Sequence, residues 1–189
     1  VMKKIISALL FLFIFSCQPI EKMESVVFDN NQFSKFDILS RSVEINEIFE
    51  KKISHPFIGH TLLISPSQRI VNWINSNFKA IGNENIFTVS ILDASLSQTE
   101  FENIEAKNFD EKIHYKYELF YLIELNLLDD SRNLIATTLV EASRSTTSGR
   151  YISIQEKENI INDLIFQTLT DLSDETKTLL TKYLEGFII

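Results

Sequence analysis

Three histidines, one cysteine and a scatter of carboxylates are the residues of this 189-residue chain with the means to do chemistry. His55 and His60 lie five apart around a Pro turn, with no cysteine or carboxylate at metal-motif spacing, so they read as loop histidines and no metal site is expected. His114 alternates onto the polar side of a strand. Asp93 and Glu141 have the chemistry of an acid and base pair, but nothing in the linear order brings them together, and surface carboxylates are far commoner. No serine sits in a nucleophile elbow, and the four glycines are too scattered to cradle a phosphate. No catalytic residue is therefore expected, and the chain reads as non-enzymatic. Cys17 is the exception in interest. A lone thiol cannot close an internal disulfide, and this one ends the run Ile14-Phe15-Ser16-Cys17, behind Lys3, Lys4 and an apolar stretch over residues 5–15.

That stretch is too short to span a hydrocarbon core, which needs roughly 20 apolar residues. With its basic start and the small Ser16 before the cysteine, it resembles a bacterial lipoprotein signal peptide. Phe15 departs from the small or β-branched residue usual at its place. The resemblance implies cleavage between Ser16 and Cys17 and a covalent diacylglycerol with an N-acyl chain on Cys17; no other cofactor is expected. Two or three acyl chains make membrane attachment effectively permanent, at about 0.8 kcal/mol per buried CH₂. Gln18 stands where the enteric sorting pattern uses Asp for inner-membrane retention. The expected location is therefore the outer membrane, facing the periplasm.

Loss of Lys3 and Lys4 with the leader leaves 16 basic against 26 acidic residues, a formal charge of −10. Nucleic-acid binding depends on Lys and Arg neutralising phosphates, so that class is set aside. The same surplus disfavours docking on anionic head groups through a basic patch.

The organisation expected is a leader at 1–16, an acylated tether at 17–35 and one domain at 36–189. Val43 and Ile45 alternate with polar neighbours in a strand over 40–46. A loop over 50–65 leads to a helix with Ser65 as N-cap, Pro66 at the first position and a stripe of Ile70, Trp73, Ile74, Phe78 and Ile81, with Gly82 as its left-handed stop. Phe87, Val89 and Ile91 mark a strand to about Leu96, and the acidic residues 98–111 read as an exposed loop. From Ile113 to Leu127 every odd-numbered residue is apolar or tyrosine, a period-2 pattern long enough to imply a bend or bulge. The turn Asp129-Asp130-Ser131-Arg132-Asn133 returns the chain over 134–145. A second capping box, Ser153 with Glu156, opens a terminal helix that Ser173 and its polar neighbours are expected to kink.

Together these give an α+β two-layer domain: a mainly antiparallel sheet of about four strands, with two helices on one face, in the order β-α-β-β-β-α. The arrangement, with its lipidated cysteine and long Tyr-rich hairpin, resembles the lipopolysaccharide-assembly lipoproteins and the auxiliary lipoproteins of ABC-type lipid transporters. It is also similar to uncharacterised alphaproteobacterial lipoproteins, in the helix from Ser65-Pro66 to Gly82, the strand end Ile91-Leu92-Asp93-Ala94-Ser95 and the strand Glu141-Ala142-Ser143-Arg144. These resemblances imply an envelope docking or assembly subunit with a protein partner, plausible in lipid or lipopolysaccharide transport; the alternative is a lipid-binding carrier.

Within that fold, Tyr115, Tyr117 and Tyr121 belong under the helices, whereas Phe120 and Leu122 point the other way, beside Glu118 and Glu124. An apolar pair framed by charge on an uncovered sheet face is the candidate interaction surface. The competing expectation is that the N-terminal segment, with Phe28, Phe33, Phe36 and Ile38, covers it.

Overall fold

The computed structural model describes residues 28–104, 106 and 111–188. Ser16, Cys17 and the leader lie outside the described residues. Eight regular elements follow in order: β1 (Phe36–Ile38), β2 (Ser42–Glu47), α1 (Pro66–Asn77), β3 (Phe78–Ala80), β4 (Ile86–Glu102), β5 (Ile113–Leu128), β6 (Leu134–Gly149) and α2 (Ile154–Tyr183).

The main sheet has the order β2-β4-β5-β6, and β1 pairs with β3 in a small parallel sheet. β2 runs parallel to β4 with α1 in the crossover, while β4-β5-β6 is an antiparallel meander. Both helices lie on the same face. The Tyr121 hydroxyl of β5 donates to the carbonyl of Pro66 in α1 at 3.3 Å, and Tyr117, in the same row, lies 5.8 Å beneath the Lys157 ammonium of α2. The expected two-layer α+β architecture is the one observed.

Alternation on β5 does what period-2 geometry requires: Tyr117, Leu119, Tyr121, Ile123, Leu125 and Leu127 are buried in one continuous core with Trp73, Ile165 and Leu172. β4 keeps its apolar side on that core by changing parity. Phe87, Val89 and Ile91 face the helices, the register shifts between Ile91 and Asp93, and thereafter Ala94 and Leu96 do. Leu92 is the extra residue of a β-bulge, which supplies the bend that so long a hairpin needs.

Several boundaries differ from expectation. The first helix stops at Asn77 rather than near Gly82, because Phe78 turns into β3 and packs its ring 4.6 Å from Phe36 and 5.2 Å from Trp73. Ile81 consequently leaves the stripe and is 40% exposed. Gly82 is not a left-handed helix stop, since no glycine among the described residues has positive φ. It permits a close approach instead: a Cβ there would lie 2.8 Å from the Leu39 carbonyl carbon. β4 continues to Glu102, so the expected acidic loop begins later; ladder pairing with β5 outweighs its charge density. The last helix is continuous through Ser173, whose hydroxyl accepts from the Ser34 backbone N–H at 3.3 Å.

That contact belongs to a larger correction. Phe28 and Phe33, placed in the tether by the sequence, pack against Phe166 of α2 at 5.7 and 5.5 Å between ring centroids. Arg69 of α1 stacks over Phe28 at 3.6 Å. Residues 28–38 thus lie on the helix layer, and these described residues do not cover the opposite face of the sheet.

Candidate functional site

Phe120 and Leu122 sit on the helix-free face of the sheet, half-buried by their strand neighbours and outside the core cluster. Cross-strand pairing dictates what surrounds them. Phe120 pairs with Ser95 on β4 and Ser143 on β6; one step along, Glu118 pairs with Ser97 and Ser145. Small residues on both sides leave the ring standing above its neighbours, beside a shallow hollow lined by Ser95, Ser97, Glu118, Phe120, Ser143 and Ser145. Leu122 lies between Asp93 and Glu141, and two positions further Glu124 pairs with Leu139, which is 55% exposed. The result is an apolar strip from Phe120 through Leu122 to Leu139, framed by carboxylates.

Most of those carboxylates have partners. Glu118 takes Lys116 at 2.6 Å, Asp93 takes Lys52 at 2.9 Å through one oxygen, and Glu124 accepts from Asn126 at 2.8 Å. Glu141 is exposed. The acid-base candidates Asp93 and Glu141 share one cross-strand row, two strand spacings or about 10 Å apart, with Leu122 between them. His55 and His60 are exposed in the loop before α1, and the His114 ring nitrogen Nε2 lies 3.2 Å from the Glu111 carbonyl at the far end of the hairpin. The loop that holds His55 and His60 pairs with the β4 edge through Phe57 and Ser97, and neither ring lines the hollow beside Phe120. Among the described residues no group of three or more His, Cys, Asp or Glu converges as metal ligands.

The core face differs electrostatically. Burial pushes the Tyr121 phenol far above its ordinary range despite the nearby Arg69 guanidinium, and burial also raises Tyr117, against a hydrogen bond with Ser148. Burial lowers Arg69. These tyrosines are structural polar handles under the helices, and none of them reaches the strip.

One feature of this face was missed from the sequence. β6 is an end strand of the sheet, so the outer edge of 16 residues has no ladder partner among the described residues. It carries no proline and no lysine, the residues that commonly block an edge. Leu134 and Ile135 add exposed apolar surface there. The available signal was order alone: a last strand paired with its predecessor takes the sheet edge unless an earlier strand returns beside it.

No protein-family model matches the chain, and no curated protein matches it. Among solved structures it is similar to a minor lipoprotein from Acinetobacter baumannii, with a TM-score of 0.42 and 9% identity over 79% of this chain and 96% of that one. It is similar to rare lipoprotein B from Shewanella oneidensis, with a TM-score of 0.40 and 10% identity over 75% of this chain and 98% of that one. A neuraminyllactose-binding hemagglutinin homolog from Helicobacter pylori follows, with a TM-score of 0.37 and 11% identity over 82% and 93%. Scores this low carry no argument about role or partners.

Proposed function

We propose that this chain is a non-enzymatic lipoprotein of the bacterial envelope, held to the membrane through Cys17, that docks on another envelope protein through the helix-free face of its sheet. The observation that carries the docking role is the strip of Phe120, Leu122 and Leu139, apolar yet outside the core and framed by charge. Its neighbour, the unblocked edge of β6, offers backbone groups that an extended partner segment would complete as a further strand. Partners of this kind are expected in lipid or lipopolysaccharide transport, and the outer membrane is the expected site.

The carrier reading has less support. The apolar recess beside α1, lined by Phe49, Phe57, Pro66 and Leu96, measures about 40 Å³. That is room for only a few water molecules, at about 10–15 Å³ each on this measure. An acyl chain would require the helices and sheet to part.

The test begins with location. Replacing Cys17 by Ala is expected to leave an unprocessed precursor and abolish labelling by a fatty-acid analogue. Labelling that persists in that variant would remove the anchor from the account. Recovery of a specific envelope protein with the native chain, extracted from membranes, supports the docking role; recovery of bound lipid alone by native mass spectrometry would favour the carrier.

A further inference from the structure

Four large apolar side chains stand exposed at one end of the molecule, uncovered by any of the described residues. Phe101, next to last in β4, is 41% exposed and Ile104 beyond it 95%; Tyr151, between β6 and α2, is 85% exposed and Ile154, which opens α2, 80%. Their common location rests on named contacts. The Phe101 ring is 5.7 Å from His114, His114 pairs with Gly149, and Glu111 accepts from the Tyr151 backbone N–H at 2.8 Å. Isoleucine, phenylalanine and tyrosine together are the set that suits the boundary between head groups and acyl chains.

The path of the N-terminal segment shows what faces this end. Phe36 pairs with Phe78, just past the C-terminus of α1; Asn30 donates to Ser76 at 3.1 Å; and Arg69 stacks on Phe28. Along α2, Ser34 lies at Ser173 and Phe28 at Phe166. Followed backwards, the chain climbs both helices towards the end that carries the apolar cluster. From Phe166 to Ile154 is 12 helical residues, about 18 Å. The 11 residues from Cys17 to Val27 have a reach of up to roughly 36 Å. The anchor is therefore long enough to pass that end of the fold and enter a bilayer beyond it.

We propose that Phe101, Ile104, Tyr151 and Ile154 rest in the head-group region of the bilayer that holds the Cys17 acyl chains, so that the long hairpin stands on the membrane by this end. The inference rests on the lipid anchor of the proposed function and adds an orientation to it. Glu100, Glu102 and Glu111 outnumber Lys112 and Arg150 around the same end, so the contact suits zwitterionic rather than anionic lipid. Standing in this way leaves the Phe120 strip and the β6 edge free for a protein.

The experiment uses the full lipidated chain in phosphatidylethanolamine and phosphatidylcholine vesicles. Acylation consumes the only natural cysteine, so Ile104→Cys can be labelled alone with an environment-sensitive fluorophore, and Ser131→Cys, in the turn at the opposite end, serves as control. Expected on reconstitution is a blue shift at position 104 and loss of its emission to nitroxide-bearing lipids, with neither at 131. Chain that floats with vesicles while position 104 stays wet overturns the orientation and leaves the anchor standing. Chain that does not float overturns both. A label shielded in native membranes but wet in pure lipid would assign the cluster to a protein partner, and the inference would again fail.

Discussion

Adjacent residues on β5 have opposite destinies. Tyr121 is fully buried with its hydroxyl on the Pro66 carbonyl, while Phe120 and Leu122 on either side of it belong to no core. Charging the two outward residues is therefore expected to be mild for the fold: Phe120→Glu and Leu122→Glu should each cost no more than about 1 kcal/mol. Tyr121→Ala, which empties a packed site, should cost about 3–5 kcal/mol, as for other buried aromatics. Denaturant melts give the stability, and recovery of partners from membranes gives the function. The expected result is partner loss with near-native melts for positions 120 and 122. Unfolding in both would mean that the face is packed within the molecule. The alternation that separates these residues was legible in the sequence; the serines that leave Phe120 standing clear were not, because they lie on strands whose register a single sequence does not state.

Elements were readable where local chemistry and tertiary packing agree. Ser65 and Ser153 accept from the N–H groups of Gln68 and Glu156 as the capping pattern requires, at 3.2 and 3.1 Å. β5 begins and ends where its alternation does. Disagreement arose where distant partners decide. Phe78 continues the helical stripe by spacing, but its contact with Phe36, 42 positions away, makes it a strand residue. Leu92 breaks the parity of β4, and the break reads as a bulge only once Ile123 and Leu122 are seen opposite. Ser173 is expected from its polar neighbours to open a fresh start, yet it is buried against Ser34 and α2 runs unbroken through it. Since α2 packs along β6 and β5 with Leu164 and Leu172 inside, Leu164→Ala or Leu172→Ala should each cost about 2–5 kcal/mol in a denaturant melt. Native midpoints for both would place the apolar stripe of α2 outside the core.

For the whole molecule, the packed body includes residues that the composition of 17–35 assigned to a tether. Phe33 is part of the core, and Phe28 sits between Arg69 and Phe166. A chain beginning at residue 28 is expected to be more stable than one beginning at 36 by about 3–5 kcal/mol, the usual cost of losing a buried Phe; equal midpoints would return this segment to the tether. The proposed anchor at Cys17 and the proposed docking strip make up one division of labour, with lipid at the N-terminus and a protein at the sheet face. The most direct check is a photo-crosslinking residue in place of Phe120 in the native lipidated chain, activated in intact cells. The account predicts a discrete crosslink to an envelope protein, lost when the same group is placed at buried Tyr121. Crosslinks to lipid alone, or none at position 120 while other surface positions capture a protein, would contradict it.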